Sequence, residues 1–186
     1  MSYLRAFAPW ILFAVVPSQY WQWGALAASG VSVLGIAQQI RAGQRMEAMA
    51  IDIGSVAFFA ALTVIAFTDP NSALHPYTPA LSSGVLALVA GVSLAVRTPF
   101  TLPIAKQTTP QELWDHPIFI RTAYVITSVW TASFVIGCVA LAALAHSASG
   151  VRTTVQILAF VLPVVFTIRY VALIRAKANS LDPSAS

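Results

Sequence analysis

Four charged residues lie within or at the edges of apolar stretches of the chain. They are Asp52, Arg97, Arg121 and Arg169. Charged side chains inside a membrane segment are energetically costly, so they usually pair, face neighbouring helices or mark a functional site. Asp52 can neutralise only one of the three arginines, and the remaining positive charge suits an anionic lipid headgroup or a phosphate group. These residue types therefore predict an anionic-headgroup or ion-pair cluster.

A purely structural explanation of the same charges stays open. A long arginine side chain can reach the membrane surface from a position about one turn inside the bilayer. Asp52 lies near the start of an apolar segment, where the helix dipole favours a negative charge. Snorkelling and pairing would account for all four residues without any ligand.

The sequence contains none of the patterns that soluble catalysis uses. It has no phosphate-binding glycine-rich loop, no zinc-binding His-Glu helix and no nucleophile elbow. His75, His116 and His146 fall at segment ends or in connections, not where a haem between helices would need them. We therefore predict a protein that is not an enzyme and that binds no metal and no cofactor. A membrane enzyme that uses Asp52 and Arg169 on a phosphate is the weakest alternative.

The composition predicts that the elements carrying these residues are membrane helices. Of the 186 residues, 58% are hydrophobic and only 9% are charged, whereas soluble chains carry roughly 25% charged residues. A membrane-spanning helix needs about 20 mostly apolar residues. The apolar segments are 4–17, 20–40, 48–67, 79–97, 118–145 and 153–176. They predict an all-α integral membrane protein, a compact bundle of five full transmembrane helices plus a short N-terminal apolar helix. This single domain covers 1–178, and a disordered tail covers 179–186.

The first segment is the shortest and contains or adjoins two prolines, Pro9 and Pro17. A helix over 4–17 is about 21 Å long, less than the ~30 Å hydrocarbon core. It either spans with help from its flanks or enters the membrane as a half-helix.

Basic residues are distributed unevenly when the six segments are drawn as alternating crossings. Of the 10 Lys and Arg residues, only Arg152 falls on its own side. The other nine are Arg5, Arg41, Arg45, Arg97, Lys106, Arg121, Arg169, Arg175 and Lys177. Cytoplasmic loops are enriched in Lys and Arg, so both termini are predicted to be cytoplasmic. This asymmetry also explains the net charge of +4, and we predict no nucleic-acid partner.

Small residues recur at every fourth position in two segments. The two sets are Gly24, Ala28 and Ser32, and Ala87, Gly91 and Ala95. This spacing lets helix backbones approach closely. It predicts tight packing within the bundle, and it is also compatible with self-association.

The 98–117 connection is rich in proline and has helix-capping signals. Thr109 to Glu112 has the spacing of a capping box, and Asp115 or His116 is placed to cap the following helix at Pro117. One interpretation is an interfacial loop that lies flat on the membrane. The other is a docking surface for a partner, with Glu112 and Trp114 as candidate contacts.

The order of these features resembles a bacterial protein family. It comprises the apolar start 7–16, the aromatic entry 20–23, a basic turn at 45–49 and an exit at 62–64 before Thr68-Asp69. A proline-rich basic connection ending in Leu113-Trp114 completes the set. Over most of its length the chain resembles the intracellular septation protein A family of inner-membrane proteins. The resemblance implies a role in cell-envelope synthesis or division through protein contacts, and it implies no catalytic residues.

Two functions from different classes follow. The leading hypothesis is a non-enzymatic, multi-pass bacterial inner-membrane protein acting through protein contacts, alone or as a subunit of a larger membrane complex. Its partners would be membrane lipids and membrane proteins, or a second copy of itself. The alternative is a small transporter or anionic-lipid-handling protein centred on the Asp52 cluster, since broken helices and intramembrane charges are typical of transporters.

Overall fold

The computed structural model describes residues 2–43 and 49–181, and within these ranges all regular structure is helical. The α-helices are α1 (Ser2–Val15), α2 (Trp21–Arg41), α3 (Ala50–Thr68), α4 (Thr78–Ala95), α5 (Thr101–Lys106), α6 (Pro117–Ala143) and α7 (Ser149–Leu181). Short 3-10 turns occupy Ser18–Tyr20, His75–Tyr77 and Gln111–Leu113. The predicted all-α architecture is confirmed. Helix α7 extends to Leu181, into the predicted tail 179–186, of which 182–186 lie outside the described residues.

Within the described ranges, four helical segments are long and apolar enough to cross a membrane. They are Ile51–Thr68, His75–Ala95, Pro117–Ala143 and Ser149–Lys177. The chain is therefore compatible with a membrane protein. Helix α2 has 21 residues, but its three glutamines, Gln22, Gln38 and Gln39, lower its apolarity and it is not among these four.

Successive long helices alternate in direction, so the bundle has two distinct ends. At one end the three connections meet: His75 Nε2 lies 3.0 Å from the Ser18 carbonyl oxygen, and Tyr77 Oη lies 3.3 Å from His146 Nε2. We call this the Arg152 end, because Arg152 lies in the first turn of α7. The opposite end, the basic end, receives Arg41, Arg97, Lys106, Arg121, Arg169, Arg175 and Lys177.

Glycines lie at three close contacts between helices. A Cβ added at Gly54 of α3 would lie 2.7 Å from Val89 of α4, and one at Gly137 of α6 would lie 2.9 Å from Ala159 of α7. A Cβ at Gly84 of α4 would meet the sulfur of Cys138 in α6 at 3.2 Å. The backbones approach this closely because no side chain intervenes.

The predicted small-residue sets occupy different surroundings. Gly24, Ala28 and Ser32 are all buried in α2, and a Cβ at Gly24 would lie 3.1 Å from Val16 at the end of α1. In α4, Ala87 and Gly91 are half-buried and Ala95 is exposed. The buried face of α4 is displaced by one residue, because the helix turns Ser83, Leu86, Ala90 and Ser93 inward.

Helix α1 packs one face against the bundle and leaves its other face exposed. Its Phe7 ring stacks on Trp130, midway along α6, with centroids 5.2 Å apart, and meets Phe160 of α7 edge-on at 5.1 Å. Trp10 donates a hydrogen bond from Nε1 to Ser55 Oγ of α3 over 2.7 Å. With 14 residues, α1 is about 21 Å long, and it is held by aromatic contacts to α3, α6 and α7.

Candidate functional sites at the two ends of the bundle

Asp52 lies in the first turn of α3, and its side chain is only 5% exposed. A Cβ added at Gly35 of α2 would lie 3.4 Å from Asp52 Oδ1, so the carboxylate faces α2. The first turn of a helix favours a carboxylate, because the unpaired backbone N–H groups make that end positive. Asp52 therefore belongs to the α2–α3 interface at the basic end.

The three arginines of the predicted cluster point elsewhere. Arg97, Arg121 and Arg169 are all exposed, and they lie after α4, in the first turns of α6 and in the distal half of α7. Helix α3 packs mainly on α2 and α4, whereas Arg121 and Arg169 belong to α6 and α7. The structure brings Asp52 inward and turns the arginines outward, so it does not gather the four side chains around one point.

Arg97 has a specific structural position. Its φ is 60°, in the left-handed region, and Thr98 N–H donates to the Ser93 carbonyl across it over 2.9 Å. These features make Arg97 the left-handed residue that ends α4 in a Schellman motif, a position that glycine usually occupies. The Arg97 carbonyl also accepts a hydrogen bond from Tyr124 Oη over 2.9 Å.

The first half of the 98–117 connection folds into the bundle. Helix α5 has a fully buried Thr101, whose Oγ1 lies 3.0 Å from the Ala123 carbonyl and 2.8 Å from Thr127 Oγ1. Thr127 lies about three turns into α6, so α5 reaches well past the start of that helix. Phe100 is also buried, with its N–H bound to Ser93 Oγ over 3.2 Å. The sequence did not reveal this anchor.

The second half of the connection forms a surface held on that anchor. Lys106 Nζ lies 4.9 Å from the centre of the Trp114 ring, and Trp114 Nε1 donates to the Thr109 carbonyl over 3.0 Å. Glu112 is exposed, and Leu113 is 47% exposed. We call residues 106–116 the platform.

The caps predicted for this connection had different outcomes. His116 caps α6 as predicted, because its Nδ1 accepts a hydrogen bond from Ile118 N–H over 3.3 Å. The predicted capping box is wrong: the turn Gln111–Leu113 has Pro110 at its N-cap and no side-chain cap. A proline there cannot supply a side-chain oxygen, so Thr109 takes part through its backbone carbonyl.

A cavity of about 630 Å³ opens at the Arg152 end. The last turn of α1 with Pro17, the start of α2, the connection before α4 and the α6–α7 connection with the first turns of α7 form its walls. Its polar lining includes His75, His146, Arg152, Thr153 and Gln156. Its volume lies within the range of about 300–1,000 Å³ typical of small-molecule sites.

Arg152 is the strongest polar feature of this cavity. Its side chain is half-buried, and one terminal nitrogen donates to the Ala145 carbonyl over 3.1 Å. Its Nε is buried without a hydrogen-bond partner among the described residues. No Asp or Glu belongs to the described residues that line the cavity, so the lining has a positive balance.

The sequence contains a signal for this cavity. Arg152 is the exception to the charge asymmetry, and His75 and His146 lie at segment ends. All three map to the same predicted side, but the convergence of three connections around them depends on long-range packing.

No known protein family, curated protein or solved structure matches the chain. The resemblance to the septation family stays a prediction.

Proposed function

We propose that the protein is a non-catalytic membrane protein that binds a partner protein through the platform at its basic end. The main support for this proposal is that the buried Thr101 side chain hydrogen-bonds to α6. This contact fixes the platform, whose outer residues Glu112 and Leu113 are exposed. A fixed surface binds at a lower entropic cost than a mobile loop, because less freedom is lost on association.

The chemistry of the platform supports protein contact. Leu113 offers an exposed apolar side chain beside the half-buried Trp114, and Trp is a frequent anchor of protein interfaces. Lys106 covers the Trp114 ring and adds positive charge beside Glu112. A partner with an apolar contact and a neighbouring acidic residue fits this surface.

The proposal includes a topology. Both termini and the platform face the cytoplasm of a bacterial inner membrane, supported by the concentration of basic residues at this end. Helix α2 is a fifth crossing, because it follows α3 from one end to the other: Trp21 Nε1 donates to the Pro70 carbonyl, and Gly35 lies beside Asp52. Helix α1 is a half-helix that packs one face against the bundle.

The biological setting follows the resemblance to septation proteins. The partner would belong to the machinery of envelope synthesis or division, and this protein would act as one subunit of a membrane complex. A transporter or lipid-handling function centred on Asp52 has less support, because Asp52 faces α2 while Arg97, Arg121 and Arg169 are exposed.

Site-specific photo-crosslinking in cells tests the proposal. A photoreactive amino acid replaces Leu113, and the matched control replaces Leu74, which is 41% exposed at the Arg152 end. We expect one discrete protein adduct from position 113 and none of the same size from position 74. Thr101→Val should weaken this adduct by loosening the anchor, whereas Thr68→Val, at an exposed position in the last turn of α3, should leave it unchanged. Lipid adducts alone at position 113 would contradict the proposal.

A further inference from the structure

The cavity at the Arg152 end has a polar part and an apolar part. Arg152, Thr153 and Gln156 line it from α7, while Phe13 and Val15 line it from α1. Phe7 and Phe160 bring the same two helices together deeper in the bundle. The cavity therefore lies where α1 and α7 separate, and it combines positive charge with an apolar wall.

The guanidinium of Arg152 is suited to binding an anion. A guanidinium presents five N–H groups in a planar fork that suits the oxygens of a phosphate. Within the described chain, Arg152 binds the neutral Ala145 carbonyl and keeps a buried Nε without a partner. Because Nε is buried, an anionic ligand in the cavity would bind the terminal N–H groups of Arg152 that Ala145 does not occupy. The nearby start of α7 adds to the positive potential, because its backbone N–H groups make that end positive.

The depth of the cavity corresponds to the headgroup region. Tyr20 and Trp23, both more than half exposed, lie at the beginning of α2 beside the cavity wall formed by Trp21. Exposed Tyr and Trp are enriched where a membrane meets water. A headgroup of the surrounding leaflet would therefore lie level with Arg152.

We propose that this cavity binds the phosphate group of an anionic ligand, with Arg152 as the direct contact and the α1 wall against the apolar part of the ligand. The phosphate belongs either to a phospholipid of the adjacent leaflet or to a soluble phosphate compound. This site is independent of the platform and lies at the other end of the bundle.

Lipid retention by the full chain in mild detergent tests the site. Delipidated protein receives phosphatidylglycerol or phosphatidylcholine at equal concentration, and native mass spectrometry counts the bound lipids. A parallel sample receives inorganic phosphate, and its thermal midpoint is measured. We expect Arg152→Gln to reduce phosphatidylglycerol binding about tenfold, as for loss of a charge-assisted hydrogen bond.

Two further variants separate the site from general electrostatics and from misfolding. Arg175→Gln removes the same charge from an exposed position at the basic end and should retain the lipid. Thr153→Trp fills the cavity while leaving Arg152 intact, and it should reproduce the loss if the cavity holds the ligand. Gel filtration selects variants that remain monodisperse.

The outcomes distinguish the two sources of phosphate. Loss of phosphatidylglycerol in Arg152→Gln and Thr153→Trp indicates a lipid headgroup. A phosphate-dependent rise of the thermal midpoint that both variants abolish, without a lipid effect, indicates a soluble phosphate compound. Equal losses in Arg175→Gln and Arg152→Gln, or no response of either ligand to the cavity variants, would overturn the proposal.

Discussion

At the residue scale, one buried hydrogen bond ties the N-terminal helix α1 to α3. Trp10 Nε1 donates to Ser55 Oγ over 2.7 Å, and the same hydroxyl donates to the Ile51 carbonyl over 2.7 Å. Both side chains are buried, so neither has water as an alternative partner. The bond therefore sets the rotation of α1 against α3, because an unpaired indole N–H in an apolar interior is unfavourable.

A double-mutant cycle measures this bond. Ser55→Ala leaves the Trp10 N–H unpaired and should lower the free energy of unfolding by about 1–2 kcal/mol. Trp10→Phe loses the same hydrogen bond and part of the ring packing. In the double variant the hydrogen bond is lost once, whereas the sum of the two single variants counts that loss twice. We expect the double variant to be about 0.5–1.5 kcal/mol more stable than the sum of the single effects predicts. Unfolding in mixed micelles gives these values, and strict additivity would show that the bond contributes nothing.

Arg97 tests whether a charged residue in this chain has a backbone role. Its left-handed conformation, with φ of 60°, is unfavourable for any residue with a Cβ, by about 1–2 kcal/mol. Arg97→Gly should therefore raise the free energy of unfolding by about 0.5–1 kcal/mol, net of the greater flexibility of glycine when unfolded. Arg97→Ala should stay close to the parent protein, because it keeps the Cβ. If both variants are destabilised equally, the guanidinium itself stabilises the fold.

At the element scale, Gly137 lets α6 pack closely between α4 and α7, because it has no side chain. A Cβ there would lie 2.9 Å from Ala159 Cβ and 3.6 Å from Ser83 Oγ. Ser133 Oγ, one turn earlier, donates to the Ala159 carbonyl over 2.7 Å. The three helices therefore contact one another around Gly137. The neighbouring side chains there are short and cannot move aside to make room for a methyl group.

Gly137→Ala should separate α6 from α7. Forcing a methyl group into this contact should lower the free energy of unfolding by about 1–3 kcal/mol. Gly30→Ala is the matched control, because a Cβ at Gly30 meets nothing within 4 Å. The control should gain up to about 1 kcal/mol from the better helix propensity of alanine. Comparable behaviour of the two variants in the same micelle titration would refute the close α6–α7 contact.

The α5 anchor is the second element-scale feature with a measurable consequence. Thr101→Val removes the hydroxyl that lies between Ala123 and Thr127 and leaves a buried apolar side chain of similar size. Loss of a hydrogen bond worth about 1 kcal/mol should speed amide exchange across 98–117 roughly five- to tenfold. Thr68→Val, at an exposed position in the last turn of α3, should not change it. Hydrogen–deuterium exchange followed by peptide mass spectrometry reports both, and unchanged exchange in Thr101→Val would remove α5 as the anchor.

At the scale of the whole molecule, the sequence predicted the features that depend on runs of about 20 residues. Apolar length and the bias of Lys and Arg are local, so four of the five predicted full transmembrane segments and the basic end followed without tertiary information. The fifth, α2, is not among the described helices that are long and apolar enough to cross. The position of α1 did not, because it depends on contacts such as Phe7 with Trp130, which are far apart in sequence. The burial of α5 was not predicted for the same reason, because the polar residues and prolines of 98–117 are typical of a surface loop.

For the candidate sites too, the sequence predicted local features but not contacts between distant segments. Asp52 was found as a charge in an apolar segment, and it is buried in α3, but which helix it faces depends on the packing of α2 and α3. The drawing of alternating crossings placed Arg97, Arg121 and Arg169 on one side of the membrane without specifying where their side chains point. The cavity around Arg152 needed three connections to converge, which no single segment encodes.

The last prediction concerns how many helices cross the membrane. Helix α2 follows α3 from the Trp21–Pro70 contact at one end to the Gly35–Asp52 approach at the other, so α2 should cross wherever α3 does. Single cysteines in a Cys138→Ala background can be labelled with a membrane-impermeant maleimide before and after cell lysis. Those expected to react in intact cells are Gln19→Cys, Leu74→Cys and Ser147→Cys. Those expected to react only after lysis are Ala42→Cys, Thr108→Cys and Ala176→Cys. Labelling of positions 19 and 42 from the same side would mean that α2 does not cross, whereas inversion of the whole pattern would place the Arg152 cavity in the cytoplasm.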